Sequence, residues 1–65
     1  MLWRMKAEFV RDTAHDLAEA LRANPLAVGD VQELIDVMNL SYADFVSAAV
    51  PEADLQQLIR LAKAR

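Results

Sequence analysis

The chain holds a single imidazole, His15, and three aliphatic hydroxyls, Thr13, Ser41 and Ser47. Asp12, Asp16 and Glu19 lie close to His15 in sequence, and on a helix Asp12, His15 and Glu19 share one side. Such a set has the chemistry of a weak surface site for a divalent ion. One imidazole among exposed carboxylates is unspecific, and the expectation is a solvated histidine held by its acidic neighbours. Its titration near neutrality would make the helix mildly pH-sensitive. There is no cysteine, so no thiolate nucleophile and no thiolate zinc site. One glycine cannot build a phosphate-cradling loop. The hydroxyls have no histidine beside them in sequence, apart from Thr13 on the same helix, and a chain of 65 residues is short for a catalytic cleft. The expectation is no catalytic residue, no metal, no cofactor and no enzyme activity.

The elements that must position these groups are helices. Trp3, Ala7, Val10, Ala14, Leu17 and Leu21 are spaced 4, 3, 4, 3 and 4 apart, a heptad seam predicting helix 1 over about 2–23. Leu2, Met5 and Phe9 widen its apolar stripe at the N-terminal end. Arg4, Glu8, Arg11, His15, Glu19 and Arg22 occupy the other face, with opposite charges at helical-neighbour spacing. At 1.5 Å per residue the helix is about 33 Å long, so its first turns should overhang a small bundle. Trp3, Met5, Phe9 and Val10 are therefore the expected dimer interface, with the Ala14–Leu21 half turned inward. Asn24-Pro25 ends helix 1, and Leu26 to Gly29 should tuck beneath it, Gly29 supplying a backbone angle closed to other residues.

Asp30 reads as the N-cap of helix 2 (about 31–39), with Glu33 completing a capping-box pattern and Val31, Leu34, Ile35 and Met38 as its buried face. Asn39 ends it, tolerant of the left-handed conformation. Ser41 caps helix 3 (about 42–49), with Tyr42, Phe45, Val46 and Ala49 inward. Pro51 opens helix 4 (about 51–64), where Glu52 and Asp54 complement the helix dipole and Leu55, Leu58, Ile59 and Ala62 line the inner face. The predicted fold is all-α: one helical domain over 1–65, a small bundle of one long N-terminal helix and three short ones, with a helix-turn-helix-like hairpin in the middle.

The hairpin's apolar spacing at Leu34, Ile35 and Met38, the turn Asn39-Leu40-Ser41, and Phe45 in its second helix resemble the phage-repressor type of helix-turn-helix. The closing segment from Pro51 to Ala64, with Leu55, Leu58 and Leu61 before Ala62-Lys63-Ala64, is similar to the last helix of that family. The resemblance covers residues 31–64 and implies a DNA-binding transcriptional regulator. The charge points elsewhere. No Lys or Arg lies between Ala23 and Ile59, whereas Asp30, Glu33, Asp36, Asp44, Glu52 and Asp54 all do. Affinity for duplex DNA rests largely on cations displacing counterions. Asp30, Glu33, Asp36 and Asp44 are instead the candidate face for a protein partner, a basic one by complementarity.

Composition sets the frame. A chain this short buries only about 60% of the surface its unfolded form exposes, and without disulfide or metal it relies on helix packing and association. Hydrophobic residues make up 55%, twelve of them alanine, yet mean hydropathy is +0.11. Some apolar surface is thus expected to be covered by a second copy or another protein. Net charge is −3 and the isoelectric point about 4.8, against a general nucleic-acid or anionic-membrane binder. No apolar run is long enough to span a bilayer. The N-terminus lacks the apolar core of a signal peptide, so a whole, cytoplasmic protein is expected. The expected function is that of a small regulatory or inhibitory adaptor acting by protein–protein binding as a homodimer; the alternative is the DNA-binding regulator.

Overall fold

The computed structural model describes residues 2–63, with side chains from residue 6 onward. It is an all-α bundle of α1 (Leu2–Ala23), α2 (Val28–Met38), α3 (Tyr42–Ser47) and α4 (Glu52–Leu58), with a 3-10 turn at Pro25–Ala27. The molecule measures 36 × 18 × 15 Å, and the long dimension is that of α1. α3 and α4 pack principally on α1, and α2 packs on α1 and on the 3-10 turn that precedes it. Val10, Ala14, Leu17 and Leu21 of α1 meet Val31 and Ile35 of α2, Phe45 of α3, and Leu55 and Leu58 of α4 in one core. Ile35, Phe45 and Leu58 are the largest side chains fully removed from water, worth about 1.5–3 kcal/mol each in transfer free energy.

Two helix ends of one design turn the chain twice. Asn39 sits in the left-handed region at φ 56°; its N–H donates to Asp36 O, and the next N–H, from Leu40, donates to Ile35 O. Ala49 repeats this at φ 58°, its N–H donating to Val46 O and that of Val50 to Phe45 O. This pair of bonds is the Schellman motif, which satisfies carbonyls a helix end would otherwise leave unpaired. The residues of its apolar pair are buried in the one core both times, Leu40 and Ile35, then Val50 and Phe45. The same two residues then precede the caps of the following helices, Ser41 for α3 and Pro51 for α4. There each is placed to staple against the fourth residue of the new helix, Phe45 or Leu55. At Ser41 both bonds of a capping box form with Asp44.

Several expectations are corrected. Helix 2 begins at Val28, so Asp30 lies inside its first turn and does not cap it; Ala27 holds the cap position without a side-chain bond. Gly29 is helical, and the positive angles fall on Asn39 and Ala49. Leu26 and Val28 do not tuck under α1: Leu26 is 90% exposed. Asn24 accepts a hydrogen bond from Leu26 N through its side chain, turning that residue outward. Helix 3 stops at Ser47 rather than 49, and α4 covers 52–58 rather than 51–64. Beyond Leu58 the chain unwinds because Lys63 is captured at the α2–α3 turn, where Tyr42 N donates to its carbonyl and its Nζ donates to Asn39 Oδ1. Leu34, Tyr42, Val46, Ala49 and Ile59 were expected inside and are exposed. α1 covers only a narrow stripe of each short helix, and the other contacts of α2, with the 3-10 turn and through Gln32 with the tail at Leu61, leave its Leu34 side open.

The chain's one glycine therefore stands where a helix would prefer alanine, and an alanine stands where the backbone favours glycine. A Cβ at Gly29 would meet nothing within 4 Å. Moving the glycine, as Gly29→Ala with Ala49→Gly, is expected to stabilise the fold by about 1 kcal/mol. The check is a higher urea midpoint at unchanged slope in equilibrium unfolding.

Candidate protein-contact surface

Two features outside the core are candidates for function: the solvent side of α2 and an ionic cluster where α4 meets α1. On α2, Val31, Ile35 and Met38 face the bundle. The helical period of 3.6 places Glu33, Asp36 and Val37 on the opposite side, with Asp30 beside Val37 and Leu34 at the flank next to the buried face. All five are exposed, Leu34 to 47% and Val37 to 75%. Leu26 stands out from the 3-10 turn that leads directly into this helix. The result is an apolar pair, Leu34 and Val37, with the carboxylates of Asp30 and Glu33 beside it on the solvent side; Asp36 lies further round and accepts from Gln32 Nε2.

The structure divides the expected acidic face. Asp30, Glu33 and Asp36 do share the exposed side of α2. Asp44 is separate: it is half-buried and its Oδ2 accepts from Ser41 N in the capping box. Leu34 and Val37 were not foreseen as contact residues. Leu34 fits the spacing of the buried face, and only the narrowness of the α1 contact exposes it. Of the expected dimer interface, Trp3 and Met5 lie outside the residues whose side chains are described. Phe9 is 59% exposed, whereas Val10 is a core residue at 3% and cannot offer a surface. Val10 lies in register with Ala14, Leu17 and Leu21, and the bundle reaches far enough along α1 to enclose it.

The ionic cluster centres on Asp54, the third residue of α4, whose side chain is 5% exposed. One carboxylate oxygen lies 2.9 Å from His15 Nδ1, and the other accepts from Arg22 Nη2 at 2.9 Å. Arg22 Nη1 in turn pairs with Glu19. His15 and Arg22 are seven residues apart on one side of α1. Ala18 stands between them, fully buried and small enough to let α4 close in. His15 thus has a specific partner that nothing near it in sequence announces, since Asp54 is 39 residues away.

Burial alone would raise the Asp54 pKa, but the hydrogen bonds from His15 and Arg22 and their charges prevail and hold it below the usual carboxylate value. His15 is raised, first by the hydrogen bond to Asp54, then by that charge, with Glu19 and Asp16 adding to it. Arg22 is raised chiefly by its bond to Asp54. An open groove of about 440 Å³ lined by Arg11, Asp12, His15, Asp16, Pro51 and Asp54 lies alongside. Among the described residues, no group of three or more His, Asp or Glu side chains is placed to hold a metal ion. No described helix is long and apolar enough to cross a membrane. Comparison with known proteins finds no matching family model, no matching curated protein and no matching solved structure.

The cluster makes stability depend on pH in two opposite ways. His15, raised in the fold, contributes fully below its unfolded value of 6.5, and this is lost as pH rises through the folded value. Asp54, lowered in the fold, contributes above 3.8, and this is lost as pH falls through its folded value. The gap in melting temperature between the native chain and His15→Gln is therefore expected to be largest between about pH 4 and 6.5 and to shrink above neutrality. A gap independent of pH would refute the pairing.

Proposed function

We propose that this chain is a non-catalytic regulatory or inhibitory adaptor that acts by binding another protein, working in the cytoplasm as a homodimer. The observation that carries the reading is the solvent side of α2, where Leu34 and Val37 stand exposed among Asp30, Glu33 and Asp36. Apolar side chains set in a polar rim are the anatomy of a protein contact. Support for the non-catalytic part comes from Ser41, which is buried as the cap of α3, its Oγ accepting from Asp44 N. Phe9, exposed on α1, is the described residue that supports the dimer.

What weighs against the DNA-binding alternative is α3 itself. It has six residues, and its exposed positions, Tyr42, Ala43, Val46 and Ser47, carry no cation. Duplex binding without cations facing the phosphates lacks its main source of affinity.

The immobilised chain is expected to retrieve a protein from a lysate of its source cells that Leu34→Ser with Val37→Ser fails to retrieve. Identical retrieval by both would sink the α2 reading. For the dimer, light scattering should give about twice the 7.3 kDa chain mass, and Trp3→Ala with Phe9→Ala should halve it. A monomer at high concentration would remove that part.

A further inference from the structure

We propose that the occupant of the α2 surface is a basic amphipathic helix of the partner protein, its apolar residues set against Leu34 and Val37 and its Lys or Arg side chains against Asp30, Glu33 and Asp36. This rests on the reading of α2 as a protein-contact surface and adds the chemistry of the partner. Three observations lead to it. First, α2 is a continuous helix whose backbone is internally bonded and whose end at Asn39 and Leu40 is closed by its own carbonyls. It offers no backbone edge to an extended strand, so recognition falls to side chains. A convex ridge with apolar residues three apart is matched by the ridges and grooves of another helix.

Second, the charge is of one sign. Asp30, Glu33 and Asp36 are exposed, and no Lys or Arg occurs from Ala23 to Ile59 to offset them. Among the described residues the exposed cations Lys6 and Arg60 lie on other elements, Arg22 is committed to Asp54 and Glu19, and Lys63, at the turn that follows α2, donates to Asn39. Third, the same charge disfavours the other occupants. A two-fold contact between α2 and its copy would bring like carboxylates together, since such an interface uses the same patch twice. Duplex DNA and anionic lipid are repelled for the same reason.

The test is a titration of the isotope-labelled full-length chain, followed by amide chemical shifts, with three synthetic peptides of equal length. One is a helix-forming peptide with Leu at i, i+3, i+4 and i+7 and Lys elsewhere. The second carries Glu for Lys. The third has the Lys composition scrambled to break the stripe. The Lys peptide is expected to bind saturably, shifting amides of residues 26–37. Its affinity should fall at least about tenfold, roughly 1.4 kcal/mol, in Leu34→Ser with Val37→Ser. It should fall likewise in Asp30→Lys with Glu33→Lys and Asp36→Lys, and that triple variant should bind the Glu peptide instead. These positions are exposed, so the core is untouched, and circular dichroism verifies the fold of each variant.

Absence of saturable binding, shifts confined to α1 or α4, or equal binding of the scrambled peptide would overturn the proposal. Saturable binding to duplex DNA or anionic vesicles through residues 26–37 would do so as well. Failure here with retrieval from lysate still dependent on Leu34 and Val37 would leave the adaptor reading standing and remove only the partner's chemistry. Loss of both removes the surface.

Discussion

The bundle depends on two residues held in a backbone conformation that costs an L-amino acid about 1–2 kcal/mol. Asn39 and Ala49 each reverse the chain within a single residue, and neither is glycine. What offsets the cost is burial immediately downstream. Leu40 and Val50 enter the core only if the preceding residue is left-handed, and each then lies with the apolar residue before it and the one after it. Ile35, Leu40, Phe45, Val50 and Leu55 fall at intervals of five through both turns. Side chains serving the end of one helix and the start of the next let α3 exist with six residues, far below the length at which an isolated helix is stable.

Asp44 and Asp54 hold the same place in successive helices, the third position, ten residues apart. Their fates differ because their surroundings do. Ahead of Asp44 stands Ser41, whose N–H and hydroxyl complete a local box. Ahead of Asp54 stands Pro51, which has neither to offer. Asp54 therefore bonds outward, to His15 and Arg22, and fixes where along α1 the last helix docks. A local cap in one helix becomes a long-range tie in the next.

The all-α class, the length of α1, the left-handed end at Asn39 and the Ser41 cap were legible because each is written in neighbouring residues. So were Val10, Ala14, Leu17 and Leu21 as a seam, although Val10 turned out to belong wholly to the core. What could not be read depends on residues far apart. Nothing near Asp54 names His15, and nothing near Leu34 says that no other element covers its side of α2. Ala49 as a left-handed residue gave no signal, because alanine is the residue least expected there. The end of α4 was misplaced for the same reason: local propensity favours helix through Lys63, and hydrogen bonds at the α2–α3 turn outweigh it.

Those bonds bind the start of α3 to the tail of the chain. A helix begins with N–H groups that have no partner within it; in α3, Ser41 and Asp44 satisfy two by themselves, and the N–H of Tyr42 is satisfied by the carbonyl of Lys63. Gln32 of α2 reaches the same tail at Leu61 O. A helix of six residues is too short to be stable alone and is completed here by a distant segment. The segment at Lys63 thus holds the hairpin from some twenty positions downstream, through Tyr42 N and Asn39 Oδ1.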